Sequence, residues 1–233
     1  MLKRLNARAL PERNAVLFDL DGLLIDSERL AMETVRETCQ ALGYRIEEQT
    51  LARVIGQGHE SCLALYREAI PDFDEAAFAS LEAKVLYERF RSDLQTKPGV
   101  GELLDVLSRR GIPYALATSS GAERVRRSLE RTGLTSRFSI VISGGDGLAS
   151  KPAPDLFLAA AKALCVSPAH CLILEDSLNG VRAGHAAGAQ VCLVPDLLPY
   201  SSAFAPFCDW TAETLLDVAK ALEEGSLRFT DPL

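Results

Sequence analysis

The sequence predicts an α/β protein, a doubly wound, Rossmann-like parallel sheet interrupted by an inserted α-helical domain. Three observations carry this expectation. Short apolar runs at residues 15–18, 112–117, 139–142, 171–174 and 190–194 read as buried strands. From Pro98-Gly99 onward such runs alternate with helical periodicity, which implies a parallel sheet covered on both faces. Between Ser27 and Gln95 no strand-like run occurs, so residues 27–95 form a helical insertion into a core made of residues 1–26 plus 96–233.

Composition narrows the function classes. In 233 residues, 48% are hydrophobic and 24% charged, the balance of an ordinary soluble globular chain with room for one good core. A formal net charge of −7 argues against nucleic acid as a partner, because polyanion binding rests on basic surface. A small anionic substrate needs only a local cation cluster or a bound metal. No apolar run approaches the ~20 residues of a bilayer span, and residues 1–13 lack the continuous apolar core of a secretory signal. The six cysteines never form C-x-x-C and sit mostly in apolar runs, as buried, reduced thiols do. A cytoplasmic location is expected.

The elements follow in order. Ala15-Val16-Leu17-Phe18 runs into Asp19-Leu20-Asp21-Gly22, a buried strand ending in a loop. Ligand crevices of open α/β sheets lie outside the carboxyl ends of the strands. Alternation along the extended chain lets Asp19 and Asp21 face one ion or phosphate; a plain Asp-Gly turn is the alternative. Residues 27–42 carry Leu30, Ala31, Val35, Cys39 and Leu42 at helical spacing, with Gly43 as a stop. Further helices are expected at 47–55, 59–70 and 74–93, with Pro71 breaking the middle pair. Helices at 100–110, 122–132, 154–164 and 178–187 then alternate with the four later strands, and residues from about 225 read as a loose tail.

Each strand end carries polar residues. Thr118-Ser119-Ser120-Gly121 places hydroxyls at a helix start, suited to an anion or to simple capping. Lys151 stands between loop glycines and the two prolines Pro152 and Pro154, in a turn rigid enough to aim it. Glu175 and Asp176 follow a fully apolar strand, where adjacent carboxylates repel unless a cation or hydrogen-bond donors intervene. Capping of the next helix by Asp176 is the alternative.

Taken together, Asp19-Leu20-Asp21-Gly22, Leu23-Leu24-Ile25-Asp26-Ser27, the hydroxyl of Thr118, Lys151-Pro152-Ala153-Pro154-Asp155 and Glu175-Asp176-Ser177 with Asn179-Gly180 resemble the haloacid dehalogenase superfamily, in its helical-cap phosphatase and β-phosphoglucomutase-like branch. The resemblance runs from about Ala15 to Pro195. It implies a sheet order of 3-2-1-4-5, which would bring Asp19, Thr118 and Asp176 to one crevice.

The resemblance also implies a mechanism. Asp19 is the expected nucleophile, forming an aspartyl phosphate, and Asp21 the general acid and base. Mg²⁺ is the expected cofactor, held by the Asp19 carboxylate, the Asp21 main-chain carbonyl and Asp176, with Glu175 either on the ion or orienting Lys151. Thr118, Ser119 and Lys151 would hold phosphoryl oxygens. An acid at Asp21 favours phosphoryl transfer over carbon-halogen cleavage, since a halide needs no proton. The insertion is expected to act as a lid hinged near residues 26–27 and 95–98. His59, in the lid loop Gln57-Gly58-His59-Glu60, is a candidate substrate contact or a helix cap, and Lys84 a further candidate.

The expected activity is therefore hydrolysis of a small phosphorylated metabolite, foremost a sugar phosphate. A β-phosphoglucomutase-type phosphomutase is the alternative. Against it, His59 and Ala31 stand where such mutases place an arginine and a histidine, and an imidazole supplies bidentate phosphate recognition poorly. A non-catalytic phosphoaccepting signalling domain is the alternative from another class. Such modules are about half this length, carry no insertion and place the phosphorylated aspartate on a later strand.

Overall fold

The structure, a computed structural model, describes residues 1–5, 12–55, 59–145 and 147–229, with His59 by its backbone alone. The chain divides into two compact units, Met1–Ile25 with Thr96–Leu233, and Asp26–Gln95.

In the first unit a seven-stranded sheet is built from β1 (Lys3–Arg4), β2 (Ala15–Phe18), β3 (Tyr114–Gly121), β4 (Val141–Gly144), β5 (Cys171–Glu175), β6 (Gln190–Leu193) and β7 (Trp210–Thr211). Its order is β1-β7-β6-β5-β2-β3-β4, parallel throughout except where β1 pairs antiparallel with β7. The five strands read from the sequence thus stand in the order 3-2-1-4-5, and β2 lies centrally, with Val16 opposite both Tyr114 and Leu172. Alternation sorts β2 by face: Ala15 and Leu17 join Ala117, Ile173, Phe157 and Ala161 in one buried cluster. On the other parity, Phe18 meets Tyr114 and Phe138 edge to face at 6.0 and 5.8 Å.

The second unit holds the helices α1 (Ser27–Ala41), α2 (Glu48–Val54), α3 (His59–Ala69) and α4 (Glu75–Ser92). They close on Val35, Cys39, Leu51, Leu63, Tyr66 and Phe78. The Asp74 side chain caps α4 by accepting from Ala77 N at 3.0 Å. Arg89 of α4 donates to Glu33 and Glu37 of α1 at 2.9 and 2.8 Å, fixing the pairing of those two helices. The first unit carries α5 (Val100–Arg109), α6 (Ala122–Thr132), α7 (Asp155–Ala163), α8 (Leu178–Ala186) and α9 (Leu215–Glu223).

Two expectations are corrected. The residues beyond Gly225 are packed as far as Phe229, not loose. Leu227 is fully buried, Phe229 bridges to Arg13, and the Arg13 guanidinium lies over the rings of Trp210 and Phe229 at 5.4 and 5.6 Å. The reading also stopped at five strands, because the two-residue β1 and β7 are too short to show a period. None of the six cysteines forms a disulfide, and among the described residues no helix is long and apolar enough to cross a membrane.

Candidate active site

The first strand delivers its acid as alternation requires. Beyond Phe18 the amide of Asp19 donates to Leu174 O at 3.1 Å, so the loop leaves β2 still tied to β5. The chain then turns at Gly22, whose φ of +80° favours glycine. Glycine is required there for a second reason: an added Cβ would stand 2.3 Å from Asp176 Oδ2. The Asp176 carboxylate, from the end of β5, therefore rests directly on the loop that bears Asp19 and Asp21.

Lys151 joins the same two strand ends. Its ammonium, nearly fully buried, is bonded to Asp19 Oδ1 and to Glu175 Oε1, the latter at 2.7 Å. It also lies 4.5 Å from the ring centre of Phe157, on α7. Glu175 is completely buried, and its other oxygen accepts from Asp176 N, Ser177 N and Ser177 Oγ, each at 3.0 Å. Both of its oxygens are thus occupied by protein donors. A Cβ at Gly180 would overlap the Glu175 carboxyl group at 1.8 Å, so the first turn of α8 can lie against it only as glycine. The cap of α8 is Ser177, accepting from Gly180 N at 3.0 Å, and not Asp176.

The three residues ending β3 divide their tasks. Thr118 is buried, and its hydroxyl accepts from Ser120 N at 3.1 Å. Ser119 Oγ accepts from the Lys151 amide at 3.3 Å, holding the lysine loop to this strand. Ser120 Oγ donates to Asp21 Oδ2 at 2.6 Å, and Arg124 donates to Asp21 Oδ1 at 2.8 Å. None of these hydroxyls caps α6, whose N-cap is Gly121 without a side-chain bond. Sequence reasoning missed Ser120 and Arg124 as partners of Asp21. Arg124 is one of several arginines on α6, and only the structure shows which turn of the helix meets the strand end. Gln57 and Gly58 lie outside the described residues, as does the His59 side chain. Lys84 is exposed on α4.

Electrostatics follow from burial. Desolvation pushes the Asp19 carboxyl up from its ordinary value; the Lys151 ammonium opposes this, and the Glu175 and Asp21 charges add to it. Burial alone would lower Lys151, but the Asp19 and Glu175 carboxylates outweigh it and hold the ammonium charged. The ammonium limits this rise without reversing it, so the Asp19 carboxyl stays above its ordinary value.

The donor set suits a hard cation. Around the Gly22 turn the groups are carboxylate and carbonyl oxygens, which favour Mg²⁺ over Zn²⁺. Among the described residues no three His, Cys, Asp or Glu side chains form a metal cluster by themselves. The Asp19 and Asp176 carboxylates and the Asp21 main-chain carbonyl are the groups that could hold such an ion, and the Asp176 carboxylate lies against the Gly22 turn of the loop that bears the other two.

A doubly wound parallel sheet with buried acids and a lysine at its carboxyl ends is a Rossmann-like α/β core with a polar crevice where such folds bind their ligands. The profile of the haloacid dehalogenase-like hydrolases matches residues 16–194, and the chain belongs to that family. It is 31% identical over 179 residues to the phosphorylated carbohydrates phosphatase of Thermotoga maritima, covering 76% of this chain and 82% of that one. It is 28% identical over 212 residues to the bifunctional riboflavin kinase/FMN phosphatase of Arabidopsis thaliana, covering 88% of this chain but only 54% of that longer one. Among solved structures, the "putative beta-phosphoglucomutase" of Thermotoga maritima superposes with a TM-score of 0.78 at 27% identity, covering 91% of this chain and 99% of that one. With its phosphatase relatives, the chain is a phosphoric monoester hydrolase.

Proposed function

We propose that this hydrolase is a Mg²⁺-dependent phosphatase acting on a small phosphorylated metabolite, foremost a sugar phosphate, through an aspartyl phosphate on Asp19. The observation that carries the reading is the buried Lys151 ammonium bonded at once to Asp19 and Glu175. It supplies a fixed cation beside a carboxylate at the end of the central strand, where an incoming phosphoryl group needs one.

In the first step an Asp19 carboxylate oxygen forms a bond to phosphorus while the ester P–O bond breaks. The electron pair leaves on the alcohol oxygen, which takes a proton from Asp21. In the second, the Asp21 carboxylate removes a proton from water, whose oxygen attacks phosphorus, breaks the bond to Asp19 and releases inorganic phosphate. Lys151 and Thr118 hold the transferring oxygens, and Ser119 steadies the lysine loop. Glu175, with both oxygens taken by protein donors, is the group that orients Lys151. The Asp19 carboxylate, the Asp21 carbonyl and the Asp176 carboxylate would hold Mg²⁺. Bound there, the ion offsets the repulsion between the phosphate dianion and the acids.

The substrate class rests on the named relatives. A phosphorylated carbohydrate and FMN both carry phosphate on the hydroxyl of a polyol or sugar chain, an alkoxide leaving group that needs the proton of Asp21. The helical unit, Asp26–Gln95, is assigned the selection of that leaving group. Free-phosphate release from a panel of sugar phosphates and flavin mononucleotide, with Mg²⁺, tests the proposal. Release from none of them by the wild-type chain would defeat it.

The likeness to a structure named for a phosphoglucomutase supports a second reading, transfer of phosphate within one sugar. Conversion of glucose 1-phosphate to glucose 6-phosphate faster than phosphate release would put that reading first.

A further inference from the structure

Arg124 and Ser120 grip the two oxygens of one carboxylate. Ser120 Oγ meets Asp21 Oδ2 at 2.6 Å and Arg124 Nη2 meets Oδ1 at 2.8 Å. The side chain of Asp21 is about four-fifths buried, at 19% exposure, while that of Arg124 is 40% exposed. Ser120 is itself anchored, because its amide donates to the Thr118 hydroxyl at 3.1 Å. Arg124 projects from the first turn of α6, immediately after β3. Asp21 follows a different strand, so its carboxylate is held from across the strand ends.

We propose that Ser120 and Arg124 are positioning residues that orient the Asp21 carboxylate for proton transfer to and from the leaving group. The proposal rests on the reading of Asp21 as acid and base given above. A carboxylate on a loop has two free torsions, and proton transfer tolerates little error in reach or angle. Two donors on opposite oxygens remove that freedom. The neighbouring α6 arginines serve other ends: Arg126 and Arg127 both pair with Glu123 on the helix surface, away from Asp21.

A purely structural ion pair and a positioning pair differ in how they treat leaving groups. p-Nitrophenolate departs with little help from an acid, whereas phenolate, and the alkoxide of glycerol 2-phosphate more so, need the proton. The test compares kcat/KM of wild type, Arg124→Leu, Arg124→Lys, Ser120→Ala and Asp21→Ala on p-nitrophenyl phosphate, phenyl phosphate and glycerol 2-phosphate. The expected result is that Arg124→Leu loses about 10-fold more on phenyl and glycerol phosphates than on p-nitrophenyl phosphate, a fraction of the ~10²–10⁴ that general acid–base catalysis supplies. Ser120→Ala should show the same bias more weakly, and Arg124→Lys should recover part of the loss. Equal losses across the three esters in Arg124→Leu, with a steep bias in Asp21→Ala, overturn the positioning role and leave the acid assignment intact. Equal losses in Asp21→Ala itself overturn both. Since Arg124 is partly exposed, thermal unfolding of each variant identifies any that failed to fold, in which case Arg124→Lys and Ser120→Ala carry the comparison alone.

Discussion

The Lys151 ammonium donates to Glu175 at 2.7 Å, and Glu175 in turn receives two main-chain amides and a hydroxyl at the head of α8. A cation that serves Asp19 is therefore fastened to the backbone of a neighbouring strand through a single carboxylate. Removing the ammonium leaves two acids in a site from which water is excluded. Lys151→Met should lower stability by about 3–5 kcal/mol and abolish turnover. Urea unfolding alongside phosphate release checks both, and an unchanged midpoint would contradict the burial argument.

Gly180 gives a prediction in which two effects compete. Alanine is worth about 0.8–1 kcal/mol more than glycine in a helix interior, so a free site would gain. Here the new Cβ would lie 1.8 Å from the Glu175 carboxyl carbon. Displacing that carboxylate breaks a buried network worth about 3–5 kcal/mol, so Gly180→Ala should destabilise and lose activity. A raised melting temperature would show that α8 yields without disturbing Glu175.

Replacing the two acids of the first loop should separate their tasks. Asp19→Asn should fold and show no turnover above background, and no label from ³²P-phosphoryl substrate should remain on the quenched protein. Asp21→Ala should lower turnover by about 10²–10⁴-fold on alkyl esters while still accepting label. Labelled Asp19→Asn would move the nucleophile elsewhere.

Stripping divalent ions with a chelator should abolish phosphate release, and added Mg²⁺ should restore it, since the oxygen donors around Gly22 suit a hard cation. Full activity in the chelated protein would remove the ion from the scheme.

The thiols predict how stability responds to alkali. Burial pushes Cys39 up to about 11, and Cys171 and Cys208 to about 12, from an ordinary value of 9.0. Their folded values lie above the unfolded ones, so the unfolded chain releases protons first as pH rises. The stability they contribute is complete below pH 9 and is lost between about 9 and 12. Unfolding midpoints measured from pH 8 upward should fall, and replacing Cys171 with alanine should flatten the slope. In the native protein a thiol reagent should react first with Cys165, which is exposed.

The sequence made the strands and the acids at their ends legible because apolar runs flanked by turns mark both, whereas the sheet order came from the resemblance to the haloacid dehalogenase superfamily. The four helices of the insertion were readable from their 3.6-residue period. The five expected core strands fall where the apolar runs placed them, within a few residues at their ends. What stayed hidden depends on contacts between distant residues. The overlap of Gly180 with Glu175, and the reach of Arg124 to Asp21, have no periodic signature. The packed C-terminal residues were missed because Leu227 and Phe229 are isolated apolar positions, and only the stack of Arg13 on Trp210 and Phe229 gives them a partner.

Where the helical unit interrupts the core, Ile25 and Thr96 are bridged to each other across the gap, and just outside them the Asp26 amide donates to Gln95 O at 3.0 Å. The two ends of a seventy-residue excursion, Asp26–Gln95, thus meet like the ends of a hairpin. Joining Ile25 to Thr96 through a short glycine-rich loop should let the sheet close without it, because loop length weighs only logarithmically on such closure. Chain architecture of this kind makes the helical part an exchangeable cassette, so new selectivity could be grafted between those two residues while the reactive strands stay as they are.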